Sequence, residues 1–330
     1  MKNVSILVPE MAVLAAIGDP RYMFTAVNEF LVAAGKPKLF NVQLVGMTKE
    51  VKLHDSLFSV HPDALLADVQ KTDLIFIPAL NGNLEDALEK NNAFKPWIVD
   101  QHARGAEVAS LCIGAFLLAS TGLLNGKKCS THWLFANDFR KMFPHVTLVD
   151  GSIITEENGI YSSGGASSYW NLLLYLVEKY TDRDTAILAS KFFAIDIERD
   201  SQASFMMFQG QRGHDDEEIK KAQDFIEQNY QEKISVGQLA DMFAIGKRSF
   251  ERRFKKATNN NVIEYLQRVK VEAAKRNFET SRKNIHEVMY EVGYTDTKAF
   301  REIFKRITGL TPIEYRNKYN KIIESAKIEN

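Results

Sequence analysis

Cysteine is almost missing from this chain of 330 residues: Cys112 and Cys129 are the only two. Two cysteines build no disulfide framework, which excludes the small disulfide-stapled folds and makes a reducing cytoplasm the expected location. A run long enough to cross a bilayer is missing too. The N-terminal stretch Met1-Lys2-Asn3-Val4-Ser5-Ile6-Leu7-Val8 is too short for a span and carries no leader-cleavage pattern, so it reads as a buried first strand, with no membrane partner expected. Net charge is missing as well, because 42 Lys and Arg balance 42 Asp and Glu. No metal and no cofactor is expected.

The balance of charge is not even along the chain. Residues 233–321 hold 20 Lys and Arg against 10 Asp and Glu, which leaves 22 basic and 32 acidic residues for the rest. A basic block joined to an acidic one points to a polyanionic partner for the basic part, the alternative being a helical domain with a solvated basic surface. The same block contains one pattern twice. Leu239-Ala240-Asp241-Met242-Phe243, a turn at Ala244-Ile245-Gly246, and Lys247 to Phe254 form the first copy. Val288-Met289-Tyr290-Glu291-Val292, a turn at Gly293-Tyr294-Thr295, and Lys298 to Phe304 form the second. Each copy is a short helix, a tight turn and a second helix with Phe-x-x-x-Phe facing inward and Lys/Arg outward, which is a helix-turn-helix. Phe250, Phe254, Phe300 and Phe304 are expected in the core.

The N-terminal part alternates strand and helix, as an α/β sheet with covering helices does. Strands are expected at 4–8, 39–46, 73–78 and 106–111, with strand and turn material at 51–60. Helices are expected from Asp19-Pro20 to about 34, at 84–103, from 115, at 133–142 and at 168–180, and helical residues continue from 182 to 208. The polar, glycine-containing stretch 209–215 is the expected linker. A helix is then expected from Asp216 to about Tyr230, Ser235 as the cap of the next, and a long helix over 262–278 between the two motifs. The resulting organisation is an α/β sensor and dimerisation domain at 1–208, a linker at 209–215 and an all-α DNA-binding domain at 216–330.

Ser110-Leu111-Cys112-Ile113-Gly114 sits where a buried strand turns into a helix. Small residues flanking a central nucleophile are what a tight, strained elbow requires. A thiol there is a candidate nucleophile, favoured as thiolate by the helix dipole, and His132 is the candidate base or positive partner. The alternative is a small buried hydrophobe at a strand end.

The C-terminal block resembles the AraC family of transcription regulators. The match is carried by Leu239-Ala240, Arg252-Arg253-Phe254, Val292-Gly293-Tyr294, Phe300-Arg301-Glu302-Ile303-Phe304 and the ending Gly309-Leu310-Thr311-Pro312-Ile313-Glu314-Tyr315-Arg316. Two departures stand out: Met289 where a small Ala is usual, and Gly246 where a Ser cap is common. The N-terminal block resembles the DJ-1/PfpI branch of the class I glutamine amidotransferase-like fold through residues 108–119, Gly122-Leu123-Leu124-Asn125-Gly126 and Thr131-His132-Trp133. The combination is similar to the GlxA-type regulators. The resemblance implies a flavodoxin-like α/β sandwich followed by an all-α domain with two helix-turn-helix motifs.

Enzymes of the DJ-1/PfpI fold bring an acid to the thiol from the turn after the first strand. Here that turn reads Val13-Leu14-Ala15-Ala16-Ile17, with Glu10 and Asp19 off its register, and the glycine-rich turn after the third core strand is Leu80-Asn81-Gly82-Asn83. A ligand-sensing pocket at Cys112, Ile113, His132, Asn81 and Gly82 is therefore expected. The alternatives are a hydrolase or hydratase using Cys112, and oxidation sensing by the same thiol. The expected base-reading residues are Lys247, Arg248, Ser249 and Arg252 in a helix at 247–256. In a second helix at 296–306 and its turn they are Thr295, Thr297, Lys298 and Arg301. Lys255, Lys256, Lys305 and Arg316 are expected at phosphates. The expected partners are double-stranded DNA, a small-molecule effector of unknown identity and a second copy of the chain.

Overall fold

The computed structural model describes residues 1–197 and 201–320, and the backbone divides into two units, Met1–Gln202 and Ala203–Asn330. The first unit opens with β1 (Lys2–Val8), α1 (Leu14–Ala33), β2 (Phe40–Gly46), β3 (Val51–Leu53), β4 (Phe58–Val60), β5 (Ala64–Leu65) and β6 (Leu74–Ile77). It continues with α2 (Leu84–Lys90), α3 (Phe94–Ala103), β7 (Glu107–Ser110), α4 (Ala115–Ser120), β8 (Lys128–Cys129) and α5 (Ala136–Met142). Next come β9 (Thr147–Leu148), β10 (Ile154–Glu157), β11 (Ile160–Ser163), α6 (Tyr169–Tyr180) and α7 (Arg183–Phe192). Seven strands form one sheet in the order β10-β11-β7-β6-β1-β2-β5. All neighbours in it are parallel except β10 against β11. The continuous apolar runs follow from cover on both faces, with α1, α6 and α7 packed together and α4 packed on α2 and α3.

Three boundaries depart from the sequence-based expectation, the first two for a tertiary reason. The first helix begins at Leu14 and carries Pro20 inside it. Val13 donates to the Ala79 carbonyl (2.8 Å) and Ala12 bridges Leu80, so the exit of β1 is fastened to the exit of β6 and the chain turns into the helix at once. The expected helix at 84–103 is two helices broken at Asn91, whose fully buried amide donates to the Glu10 and Ala87 carbonyls (both 2.8 Å). Helix continues from 182 only as far as Phe192. The hairpin β10–β11 was not anticipated. Its signal is the Asn158-Gly159 pair between two β-rich runs, and both residues take the positive φ that a two-residue hairpin turn demands (53° and 75°).

The second unit is helical: α8 (Glu217–Gln228), α9 (Val236–Met242), α10 (Lys247–Thr258), α11 (Val262–Thr280), α12 (Ile285–Glu291), α13 (Thr297–Thr308) and α14 (Pro312–Tyr319). Its two cores share one helix. Val262, Tyr265 and Val269 of α11 close the core of α8, α9 and α10 around Phe250 and Phe254. Val271, Ala274 and Phe278 of the same helix open the core of α12, α13 and α14 around Phe300 and Phe304. The buried Met289 fills part of that second core.

The stretch 209–215 is not a free tether. Gln223 donates to the Gln211 carbonyl (2.9 Å), Asn260 bonds the Gln211 side chain (3.1 Å), and Arg212 pairs with Asp224 (2.7 Å) and Glu227 (2.8 Å). Just before it, Lys275 donates to the Met206 carbonyl (2.6 Å), and the Phe208 N–H donates to Glu272 (3.1 Å). The chain from Ala203 onward is thus a strap built into the helical unit, and the domain division falls at Gln202. Among the described residues, no helix is long and apolar enough to cross a membrane.

Candidate functional site

The exits of β1, β6 and β7 meet at one end of the parallel sheet, where ligands sit in open α/β folds. At the exit of β7 the Leu111 N–H is held by the Ile77 carbonyl (2.9 Å), and Cys112 takes φ 54°. A non-glycine residue in that region stores roughly 1–2 kcal/mol of strain. Gly114 is required two residues on, because a Cβ there would sit 2.5 Å from the carbonyl oxygens of both Ile77 and Pro78. The elbow is therefore real, and its backbone is clamped: the Cys112 N–H donates to Ser163 Oγ (3.3 Å) and its carbonyl accepts from Thr131 Oγ1 (3.2 Å). Ser163 closes β11, in the unanticipated hairpin.

Burial works against a nucleophilic role for Cys112. The residue is 5% exposed, and burial pushes its thiol up to about 12, against only a lowering contribution from the Ile113 N–H. At neutral pH the sulfur carries its proton. Burial also depresses the His132 pKa, so the imidazole is neutral, and its Nδ1 accepts from the Leu134 N–H (3.2 Å) while the ring stacks on Trp133. Among the described residues, no hydrogen bond joins Cys112 to His132 or to a carboxylate. Asp19 is one turn into α1 and accepts from the Tyr169 hydroxyl (2.6 Å); burial raises the pKa of both groups. Tyr169 lies within electrostatic reach of the Cys112 side chain. An acid thus reaches the neighbourhood of the thiol through a phenol, which the linear register did not reveal.

Ile113 is buried beside Cys112, whereas Asn81 and Gly82 lie exposed at the exit of β6. The Asn81 N–H donates to the Met11 carbonyl (2.7 Å), and Gly82, at φ 73°, leaves room for the Met11 methyl that a Cβ would meet at 2.8 Å. Gln202, 2% exposed, is a further member. Its amide donates to the Thr131 (3.0 Å) and Ser152 (3.1 Å) carbonyls and accepts from the Trp133 N–H (3.3 Å). Gly164 gives it room, since a Cβ there would fall 2.1 Å from Gln202 Nε2. Gln202 carried no signal in the sequence, because a lone Gln before an irregular stretch is ordinary.

In the helical unit, α10 turns Phe250, Phe254 and Thr258 inward and leaves Lys247, Arg248, Arg252, Lys255 and Lys256 exposed, with Ser249 half-buried. Helix α13 turns Phe300, Phe304 and Thr308 inward and leaves Lys298, Arg301, Lys305 and Arg306 exposed, with Thr297 half-buried and Thr295 exposed in the preceding turn. Among the described residues, Lys247, Arg248, Arg252, Lys298 and Arg301 have no ion-pair partner. Two other cations of the same unit are committed. Arg253 makes a two-point pair with Asp216 (2.8 and 2.6 Å), and Arg316, expected at a phosphate, is half-buried and donates to the Lys283 carbonyl (3.3 Å). Arg316 is therefore an internal brace, because its guanidinium folds back onto the connection between α11 and α12.

Comparison with known proteins agrees with both halves. Residues 23–179 match the DJ-1/PfpI family and residues 239–318 match a helix-turn-helix domain. The chain is 22% identical over 269 residues to the HTH-type transcriptional regulator GbdR of Pseudomonas aeruginosa, covering 81% of this chain and 72% of that protein. It is 20% identical over 215 residues to the HTH-type transcriptional regulator GlxA of Rhizobium meliloti, covering 65% of this chain and 66% of that protein. Among solved structures, a candidate transcriptional regulator protein from Vibrio parahaemolyticus superposes with a TM-score of 0.52 at 25% identity, covering 58% of this chain and 98% of the other.

Proposed function

We propose that this transcription regulator, in which a DJ-1/PfpI domain precedes an AraC-type helix-turn-helix domain, holds double-stranded DNA with two repeated helix faces. Lys247, Arg248, Ser249 and Arg252 act on α10, and Thr295, Thr297, Lys298 and Arg301 act at α13. The observation that supports this assignment is the set of unpaired cations. Among the described residues, Lys247, Arg248, Arg252, Lys298 and Arg301 have no carboxylate partner, whereas Arg253, Arg212, Lys275 and Lys255 are each paired with an acid. Unpaired cations at such spacing suit phosphates and guanine edges. The test is duplex affinity of the full chain with alanine at Arg252 or Arg301. Each is expected to lose about 1–3 kcal/mol on a selected site; undiminished affinity in both would refute the assignment.

The first unit, on this reading, senses a small-molecule effector at the elbow by binding, as part of a cytoplasmic homodimer. A protonated thiol and a neutral imidazole with no shared bond suit a binding pocket better than turnover. Gln202 supports a route for the signal. It grips Thr131, whose hydroxyl holds the Cys112 carbonyl, and the next residue begins the strap fastened by Glu272 and Lys275. Replacing Gln202 with Ala is expected to leave DNA affinity intact and abolish its response to effector, read by titrating small metabolites against duplex binding. A Gln202→Ala chain that still responds fully would rule out the route.

A further inference from the structure

The two reading helices carry the same pair of charged residues in opposite order. Phe250 corresponds to Phe300 and Phe254 to Phe304, so Glu251-Arg252 in α10 stands where Arg301-Glu302 stands in α13. On an α-helix the second member of each pair lies about 200° round from the first Phe and about 160° from the second. It therefore occupies the middle of the exposed face, diametrically opposite the core. That central residue is Arg252 in the first helix and Glu302 in the second.

Glu302 is exposed and, among the described residues, has neither a hydrogen bond nor an ion pair. Partners are within reach on its own helix: Lys298 one turn before, Lys305 and Arg306 one turn after. Arg306 instead donates to Gln267 (2.6 Å). A bare carboxylate at the centre of a face that meets phosphates weakens non-specific binding. What it offers instead is an acceptor for the exposed N4 amino group of cytosine, whereas a central Arg donates to guanine O6 and N7.

We propose that Glu302 is a specificity-determining residue that selects cytosine, and that the operator therefore has two unlike half-sites although the protein presents two like motifs. The half-site under α10 carries guanine beneath Arg252. The half-site under α13 carries cytosine at the corresponding position, beneath Glu302, with Arg301 beside it. This rests on the DNA-reading assignment of the two helices.

The test is selection from a random duplex library by the full chain, its E302Q variant and its R301E/E302R variant. The wild type is expected to return a two-part motif with guanine in one part and cytosine at the matching position of the other. E302Q is expected to lower the cytosine preference at that one position about tenfold, leaving the other half-site unchanged and strengthening binding to unselected DNA. R301E/E302R is expected to turn that cytosine into guanine. If both variants return the wild-type motif, or if E302Q weakens all sequences alike, the proposal is overturned while the DNA-reading assignment stands. If the wild-type chain enriches no sequence, that assignment itself falls.

Discussion

The two helix-turn-helix halves share one frame and differ in how it is held. Tyr265 bonds Glu227 in the first half as Tyr315 bonds Glu279 in the second. Thr258 and Thr308 each accept from a backbone N–H two residues on, and Asn261 and Thr311 each open the next helix with a capping box. The turns between the paired helices are not alike. The second has glycine at its left-handed residue (Gly293, φ 76°) and a capped reading helix, Asp296 accepting from the N–H groups of Lys298 (2.8 Å) and Ala299 (3.1 Å). The first puts Ala244 at the left-handed residue (φ 52°) and Gly246, with no side chain, at the cap. What it has instead is the Arg253–Asp216 pair, where the second half has the partly buried Ile303 packed against its core. Local backbone chemistry supports one reading helix, and a tertiary ion pair supports the other.

The largest expected effect is at Gly293. A Cβ there would lie 2.1 Å from the Gln231 carbonyl and 2.8 Å from Lys270 Nζ, on a backbone already in the left-handed region. Gly293→Ala is expected to destabilise by about 2–4 kcal/mol. The mirror change, Ala244→Gly, is expected to stabilise the first half by about 1 kcal/mol at most, because relief of the left-handed strain is partly offset by the extra freedom of glycine in the unfolded chain. Denaturant unfolding of the full chain, with amide exchange to assign the transition, measures both; equal signs would break the contrast.

Asp296→Ala is expected to cost about 1 kcal/mol of protection in α13, while Gly246→Ser adds only a few tenths in α10. Amide exchange at the first turn of each helix reads the difference.

Acid separates the halves in the other direction. The Arg253 guanidinium holds the Asp216 carboxyl below its ordinary range. A folded-state pKa below the unfolded one means stability that is fully present above the unfolded value and is lost as pH falls through the folded value. Protection of α10 is therefore expected to fall on acidification below about pH 4 before that of α13 does. Asp216→Asn should remove the dependence, and simultaneous loss in both helices would argue against it.

Much of this was legible in the sequence where periodicity decides. The Phe-x-x-x-Phe spacing placed four buried rings and, by exclusion, the exposed cations. The continuous run of Leu74 to Ile77 announced a strand covered on both sides. Legibility ended where distant backbone decides. Nothing near Leu14 says that Ala79 and Leu80 fasten the turn before it, so the helix start was placed at Pro20. The linker was sought in glycine and polarity, but the hydrogen bonds from Gln223, Glu272 and Lys275 that fasten the strap come from helices far along the chain. At the elbow the residue pattern around Cys112 was readable. Its protonation was not, because that depends on burial, and the backbone of the elbow is clamped by Ser163 and Thr131 arriving from other segments.

The most direct measurement is the salt dependence of duplex affinity for the full chain, with Lys247→Ala/Arg248→Ala and Lys298→Ala/Arg301→Ala as paired variants. Each cation removed from the DNA-facing surface should flatten the slope of log affinity against log salt by about one. The account expects both double variants to bind more weakly with shallower slopes than the wild type. A slope left unchanged by both double variants would contradict it.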